Sequence, residues 1–431
     1  MRILQPILLL LPLLAVQGPQ TASAPGKGFH LRFPDGKVRE ARVVGLGPKG
    51  LSLGLAAGTR ELAFGDLLDF RGPARWHPDR DLPWLLLHSG TAIRARILGG
   101  DAEGESLQLR GPVIGSRTVS LDDVAEIRIP RKGQLVEDRQ LAVDKEDRDK
   151  ERLFRYAPLG LDLIKGFLFR ISEKGIHFAP SHDEEKPKLF PWAEVGALVL
   201  PPPDVEDEKE AQPQTGKDAG MDARKDKGVV MVLRTRDGSL WRGRPVGFSE
   251  GNWHLQTSIG EILIPGQAIV AGHVLAPATR TWLSDLQPVK VTEHGLVTGE
   301  AQWKELFGYR RNLNSVGNLL QVGGAIWTQG LGAHSYSRLE YRVPTGRTRF
   351  LTQVGIDDSA LQADPSGNAA FRIYLDGKKV AEIPSLKGGQ GTRSFPVLRV
   401  QAGQTLALEI GFADHIYTGD RGNWLGAVFL P

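Results

Sequence analysis

Asp35-Gly36-Lys37-Val38-Arg39-Glu40-Ala41-Arg42-Val43-Val44-Gly45 aligns without gaps on Asp237-Gly238-Ser239-Leu240-Trp241-Arg242-Gly243-Arg244-Pro245-Val246-Gly247. The register continues to Leu53 on Leu255 and Gly58 on Gly260. A further copy begins Ser89-Gly90-Thr91-Ala92-Ile93-Arg94 and ends Val124-Ala125-Glu126-Ile127-Arg128-Ile129; a weaker one begins Lys165-Gly166-Phe167-Leu168-Phe169-Arg170. Self-similarity at about 40–50 residues marks one supersecondary unit used several times. The Asp-Gly pairs are hairpin turns, because glycine accepts positive φ and aspartate bonds its own backbone. Leu51-Ser52-Leu53-Gly54-Leu55 alternates with period two, as a half-buried strand does. The grammar of three hairpin-linked strands and a final apolar strand predicts small barrels of the SH3-like or Sm-like type.

Working outward, the units fall at 29–75, 82–132, 156–200 and 228–276. The stretch 133–155 alternates acids and bases and reads as a charged linker. Residues 201–227, rich in Pro, Lys, Asp and Glu, bury too little apolar surface to offset chain entropy and read as a disordered linker. At the N-terminus Arg2, an apolar run from Ile3 to Val16 and Thr21-Ala22-Ser23-Ala24 have the order of a secretory signal peptide over 1–24. The run falls short of the roughly 20 residues that span a bilayer. The expectation is an exported chain of the periplasm, cell envelope or extracellular space, with no membrane span after signal removal.

Composition agrees with many turns: 52 Gly and 28 Pro in 431 residues. With 54 basic and 50 acidic residues the net charge is +4, which gives no reason to expect a nucleic-acid partner. The basic residues Arg39, Arg42, Arg94, Arg96, Arg242 and Arg244 recur after the turns as a solvated strand face. The absence of cysteine excludes disulfides, Cys-ligated zinc, iron–sulfur clusters and thiol catalysis.

The stretch 279–431 has longer alternating strands, including Leu339-Glu340-Tyr341-Arg342-Val343 and Leu406-Ala407-Leu408-Glu409-Ile410. They make a β-sandwich the default. Several of its segments resemble the novel putative carbohydrate-binding module family, NPCBM. They are Trp282-Leu283-Ser284-Asp285-Leu286, Gly330-Leu331-Gly332-Ala333-His334-Ser335, Val354-Gly355-Ile356-Asp357-Asp358, Phe371-Arg372-Ile373-Tyr374-Leu375-Asp376-Gly377 and Asp420-Arg421-Gly422-Asn423-Trp424. The resemblance implies a jelly-roll sandwich and a glycan or polysaccharide partner. Asn423 stands where the family often has an acid before the closing Trp.

Two motifs imitate catalysis. Gly45-Leu46-Gly47-Pro48-Lys49-Gly50 fits the dinucleotide pattern, and Gly247-Phe248-Ser249-Glu250-Gly251 the nucleophile elbow, but both chemistries need a helix after the motif. Gly45 and Gly247 share one repeat position, so both motifs read as one turn between two strands and neither as an active site. His177 and His182 with Asp183, Glu184 and Glu185 read as a charged loop rather than a zinc site. Asp357 and Asp358 are candidates either for a structural calcium or for capping a strand end. Asp414 and Asp420, the nearest candidate pair for glycoside hydrolysis, lie in one loop.

Sugar binding needs an aromatic face and groups that bond hydroxyls. The candidates are Trp327, His334, Tyr417, Asp420, Arg421, Asn423 and Trp424. The sequence therefore predicts an all-β, exported, non-catalytic glycan-binding protein without a catalytic metal or organic cofactor. The alternative is an envelope scaffold whose repeats hold partner proteins and whose sandwich binds no sugar.

Overall fold

The computed structural model describes residues 28–55, 58–136, 138–141, 150–180, 187–203, 229–295, 306–414 and 417–431. The expected signal peptide, most of the 201–227 linker and the segment His182–Glu185 lie outside them. The regular structure is strands joined by turns and short 3-10 segments, so the chain is all-β.

The first unit has strands Phe29–Arg32, Val38–Gly47, Gly50–Leu55, Gly58–Ala63 and Asp69–Arg71. Each pairs antiparallel with the next, except that the fifth returns to the first, giving the spatial order 5-1-2-3-4. The fourth unit repeats this with Val230–Thr235, Leu240–Ser249, Asn252–Thr257, Gly260–Pro265 and Ile269–Leu275. So does the third, with Glu151–Ala157, Gly160–Ser172, Gly175–Pro180, Lys188–Pro191 and Val195–Val199. In the second unit the second strand is split into Ala92–Arg94 and Arg96–Gly100, between Trp84–Leu87 and the hairpin Ser106–Gly111/Gly115–Ser120, and Val124–Arg128 is the fifth strand. A register shift sits inside every second strand, at Val43/Gly45, Ile97/Gly99, Leu168/Arg170 and Pro245/Gly247. Such a bulge bends the strand, so its first part pairs with the first strand and its second part with the third. Among the described residues the fourth and fifth strands of a unit do not pair, so the units are open five-stranded sheets rather than the closed barrels expected.

The units join out of chain order. The fifth strands of the first and fourth pair antiparallel, as do those of the second and third, and Leu240 of the fourth pairs with Ala92 of the second. Trp253 lies 5.3 Å from Phe29 and 5.4 Å from Phe70 between ring centroids, knitting the first pair together. Gly272 makes that join possible, because a Cβ there would come within 2.5 Å of the Phe70 ring.

One expectation is corrected. The 133–155 linker ends in the strand Glu151–Ala157, and Val136 and Leu141 pack with Phe154 and Ala197. Within that strand Arg152, Leu153 and Phe154 are buried, so this end of the stretch is packed chain rather than solvated linker.

The C-terminal stretch is two facing antiparallel sheets. One is ordered Arg310–Arg311, Gly330–His334, Arg421–Leu430, Arg349–Ile356, Arg393–Ser394; the other Lys290–Glu293, Ser337–Arg342, Thr405–Phe412, Asn368–Leu375, Lys378–Lys387. Tyr341, Phe350, Phe371, Trp424 and Phe429 fill the space between them.

This sandwich is welded to the first and fourth units. Arg32, buried, forms a salt bridge with Asp69 and donates to the Gly426 carbonyl at 2.9 Å. Arg280 donates to the carbonyls of Leu67, Phe64 (2.7 Å) and Gly65 (3.1 Å). Leu68, Trp282, Leu351, Val428 and Leu430 form a shared apolar cluster.

Candidate functional site

The seven sequence candidates separate into three groups. Trp327 and Trp424 are 4% and 1% exposed, so neither offers a face to a sugar. Trp327 packs with Leu320, Val322 and Leu425 at the weld, with Arg71 and Arg32 guanidinium carbons 5.1 and 5.7 Å from its ring. Trp424 is core, stacked on Phe395 at 5.9 Å and edge-on to Phe371 at 5.5 Å.

Asn423 is a structural residue too. Its Nδ2 donates to Asp357 Oδ2 at 2.7 Å, and the same carboxylate accepts from Gln321 N (3.1 Å), Ser359 N (3.0 Å) and Asn314 Nδ2 (2.8 Å). Asp358 accepts from the backbone of Gly323 and Gly324, each at 2.7 Å. The two aspartates thus pin the Leu320–Val322 strand and its turn to the sheet. Among the described residues no group of three or more His, Asp or Glu side chains is placed to hold a metal ion.

His334, Tyr417, Asp420 and Arg421 do come together, at one end of the sandwich. His334 closes the strand Gly330–His334, Arg421 opens the strand paired with it, and Asp420 immediately precedes Arg421. The His334 ring lies 5.1 Å from Phe307 and 6.5 Å from Tyr417, both only partly buried. Burial, with the positive charge of Arg421 nearby, pushes the His334 imidazole down to about 4, so it is neutral at pH 7. Asp420 accepts from the Asn368 backbone N–H at 2.7 Å and the Ser335 hydroxyl at 2.8 Å. Burial nevertheless raises its carboxyl to about 6, with Asp414 adding to the rise. Asn368 joins the two acids, since its Nδ2 donates to Asp414 at 2.8 Å. Arg421 is fixed from behind by donation to the Ser359 carbonyl at 3.0 Å.

The result is a ring-lined corner with carboxylate, amide and imidazole groups beside it, supported by buried polar residues. Phe307 and Asn368 belong to it and were missed. Phe307 follows a polar stretch with no strand pattern, and Asn368 opens a strand whose alternation marks only core positions. A second polar cluster lies on the outer face of the other sheet. There Glu409 accepts from Tyr336 (3.0 Å), Arg338 (3.1 Å), Arg372 (3.1 Å) and Tyr374 (3.2 Å), a network complete in itself.

Both catalytic-looking glycine motifs sit where one strand turns into the next, as the repeat alignment requires.

Two packed antiparallel sheets with a ring-lined corner at one end define a β-sandwich module. Residues 279–430 match the family described as NPCBM/NEW2 domain. A curated relative, the putative endo-alpha-N-acetylgalactosaminidase of Renibacterium salmoninarum, is 26% identical over 154 residues, covering 36% of this chain and 10% of that protein. This chain therefore spans about a tenth of that relative's length. Among solved structures, the CBM51 of Clostridium perfringens GH95 in complex with methyl-galactose is 20% identical with a TM-score of 0.30, covering 35% of this chain and 99% of that one. The tandem CBM51 modules of a family 98 glycoside hydrolase from Streptococcus pneumoniae are 13% identical with a TM-score of 0.30, covering 83% and 96%.

Proposed function

We propose that this is an exported glycan-binding protein whose C-terminal sandwich takes a sugar at the corner formed by Phe307, His334 and Tyr417. The observation that carries the reading is the family match over 279–430 together with two half-buried rings, Phe307 and Tyr417, gathered beside hydroxyl-bonding groups at one end of that fold. A pyranose stacks its C–H face on Tyr417 or Phe307, while Asp414 and Asn368 exchange hydrogen bonds with its hydroxyls; His334, buried and donating Nδ1–H to the Ser335 carbonyl at 2.9 Å, backs the two rings. Arg421 and Asp420 hold this corner in shape. The sandwich binds without chemistry of its own, and affinity at one such site is weak, so avidity through several copies raises it. Galactose-type sugars and N-acetylated hexosamines come first, since similar structures hold methyl-galactose and GlcNAc. Export rests on the N-terminal pattern Arg2 to Ala24, and no helix among the described residues is long and apolar enough to cross a membrane.

One observation favours the scaffold reading: five of the seven candidates, Trp327, His334, Asp420, Asn423 and Trp424, are buried. A glycan array probed with the full chain decides. Selective binding that Tyr417→Ala abolishes supports the sugar site, whereas a folded protein that binds no glycan leaves the scaffold.

A further inference from the structure

The fourth unit holds a hydrogen-bonded chain of hydroxyl, imidazole and carboxylate. Ser249 Oγ lies 2.7 Å from His254 Nε2, and His254 Nδ1 lies 2.8 Å from Glu261 Oε1. Three neighbouring strands supply them, since Ser249 ends the second strand, His254 lies on the third and Glu261 on the fourth. Opposite ring nitrogens are used, so with Nδ1–H donated to Glu261 the Nε2 lone pair faces the serine hydroxyl. Ser249 is exposed.

The other units are internal controls. Register places Arg170, Ser172 and His177 of the third unit where the fourth has Gly247, Ser249 and His254, and Pro187 where it has Glu261. There the serine hydroxyl donates instead to the Gly175 carbonyl at 3.0 Å. The first unit has Gly47 and Ser52 at the serine and histidine positions, and the second has Asp101 and Gln108. Only the fourth unit combines the three groups. Gly247 lies directly opposite His254, and a Cβ there would stand 3.8 Å from the imidazole, so the ring crosses that position without competition from a side chain such as Arg170.

We propose that Ser249, His254 and Glu261 form an acyl-ester hydrolysis centre. Its substrate class is a carboxylic ester pendant from a polymer, which an open sheet face admits more readily than a free small molecule. Ser249 Oγ attacks the ester carbonyl as its proton passes to His254 Nε2. The bond to the alcohol breaks, and the leaving oxygen takes that proton. Water then attacks the acyl-serine and gives a proton to Nε2. That proton returns to Ser249 Oγ as the carboxylic acid departs. Ester and water become alcohol and acid, with no other reactant. Glu261 is a positioning residue that fixes the tautomer and stabilises the imidazolium. Glu250 and Gly251 form the turn after Ser249 at φ 51° and 79°, and in this centre their backbone N–H groups are assigned as the oxyanion donors. Exposed Leu263, opposite His254, and Val246, at the bulge, give an acyl chain an apolar rest. This centre is separate from the sandwich corner and does not depend on the sugar-binding reading.

The test treats the full-length protein with a fluorophosphonate probe, maps adducts by peptide mass spectrometry, and follows p-nitrophenyl acetate hydrolysis. The expected adduct is on Ser249 and not on Ser172. His254→Gln should slow labelling by at least about tenfold, and Ser249→Ala should lower hydrolysis to that of denatured protein. Glu261→Gln should lower kcat with KM unchanged, and Glu261→Asp should recover part of it. Because these side chains are partly or fully exposed, unchanged thermal unfolding will show that the variants fold. No adduct on Ser249, equal labelling of Ser172, or labelling unaffected by His254→Gln overturns the proposal.

Discussion

Acidification should loosen the weld between sandwich and repeats through one histidine. His273 is 3% exposed, with Nδ1 2.8 Å from Thr328 Oγ1 and Nε2 2.9 Å from Gln329 Nε2. Gln329 Oε1 already accepts from Ser284, so its amide presents N–H to the histidine and Nε2 must accept. A protonated ring would face that N–H with another. Burial, with Arg242, Arg280 and Arg234 nearby, pushes the imidazole down to about 3 from 6.5. A depressed histidine gives stability that is full above the unfolded value and is lost as pH falls towards the folded one. At pH 5 the unfolded imidazole has gained 1.5 pH units of protonation free energy that the folded one has not, or about 2 kcal/mol. Any folded value below about 4 gives the same result at that pH. The assay is urea unfolding at pH 8 and pH 5 for wild type and His273→Gln. The variant should lose about 2 kcal/mol less than wild type between the two pH values. Equal losses in both proteins refute the reasoning.

Arg32→Met strands the buried Asp69 carboxylate and should cost about 3–5 kcal/mol in denaturant unfolding. Trp424→Ala should cost a similar ~3–5 kcal/mol through a core cavity. Tyr417→Ala should leave the unfolding midpoint nearly unchanged while weakening glycan binding at least about tenfold, the loss of one stacked ring and its hydrogen bonds. Asp420, held at about 6 by burial, favours the folded state when protonated, so its contribution grows as pH falls from above 6 towards 4. Asp420→Asn should remove that rise, read as a smaller gain of Tm relative to wild type over this range.

The repeat was legible because its turns impose local chemistry: Asp35-Gly36 and Asp237-Gly238 need positive φ, and Gly36 and Gly238 have it, at 80° and 101°. The strand Glu151–Ala157 was hidden because Glu151, Arg152 and Arg155 continue the charged run before it, and sequence does not show that Arg152 is buried. The weld was illegible for a different reason, since Arg32 and Gly426 are 394 residues apart and no local pattern links them. His334, Tyr417, Asp420 and Arg421 fall together at one end of the sandwich because one short loop carries most of them. Trp327 and Trp424 misled because composition does not tell a buried indole from an exposed platform. Their burial also means that the isolated sandwich would expose Trp282, Leu351, Val428 and Leu430, so binding is best measured on the whole chain.

The most direct measurement of the central claim is isothermal titration of the full-length protein with the best sugar from an array, beside Tyr417→Ala and Phe307→Ala. The account predicts one saturable site per chain, weakened at least about tenfold by either substitution while unfolding stays unchanged. Binding that both variants retain at full strength, or no binding to any glycan by the folded wild type, would contradict it.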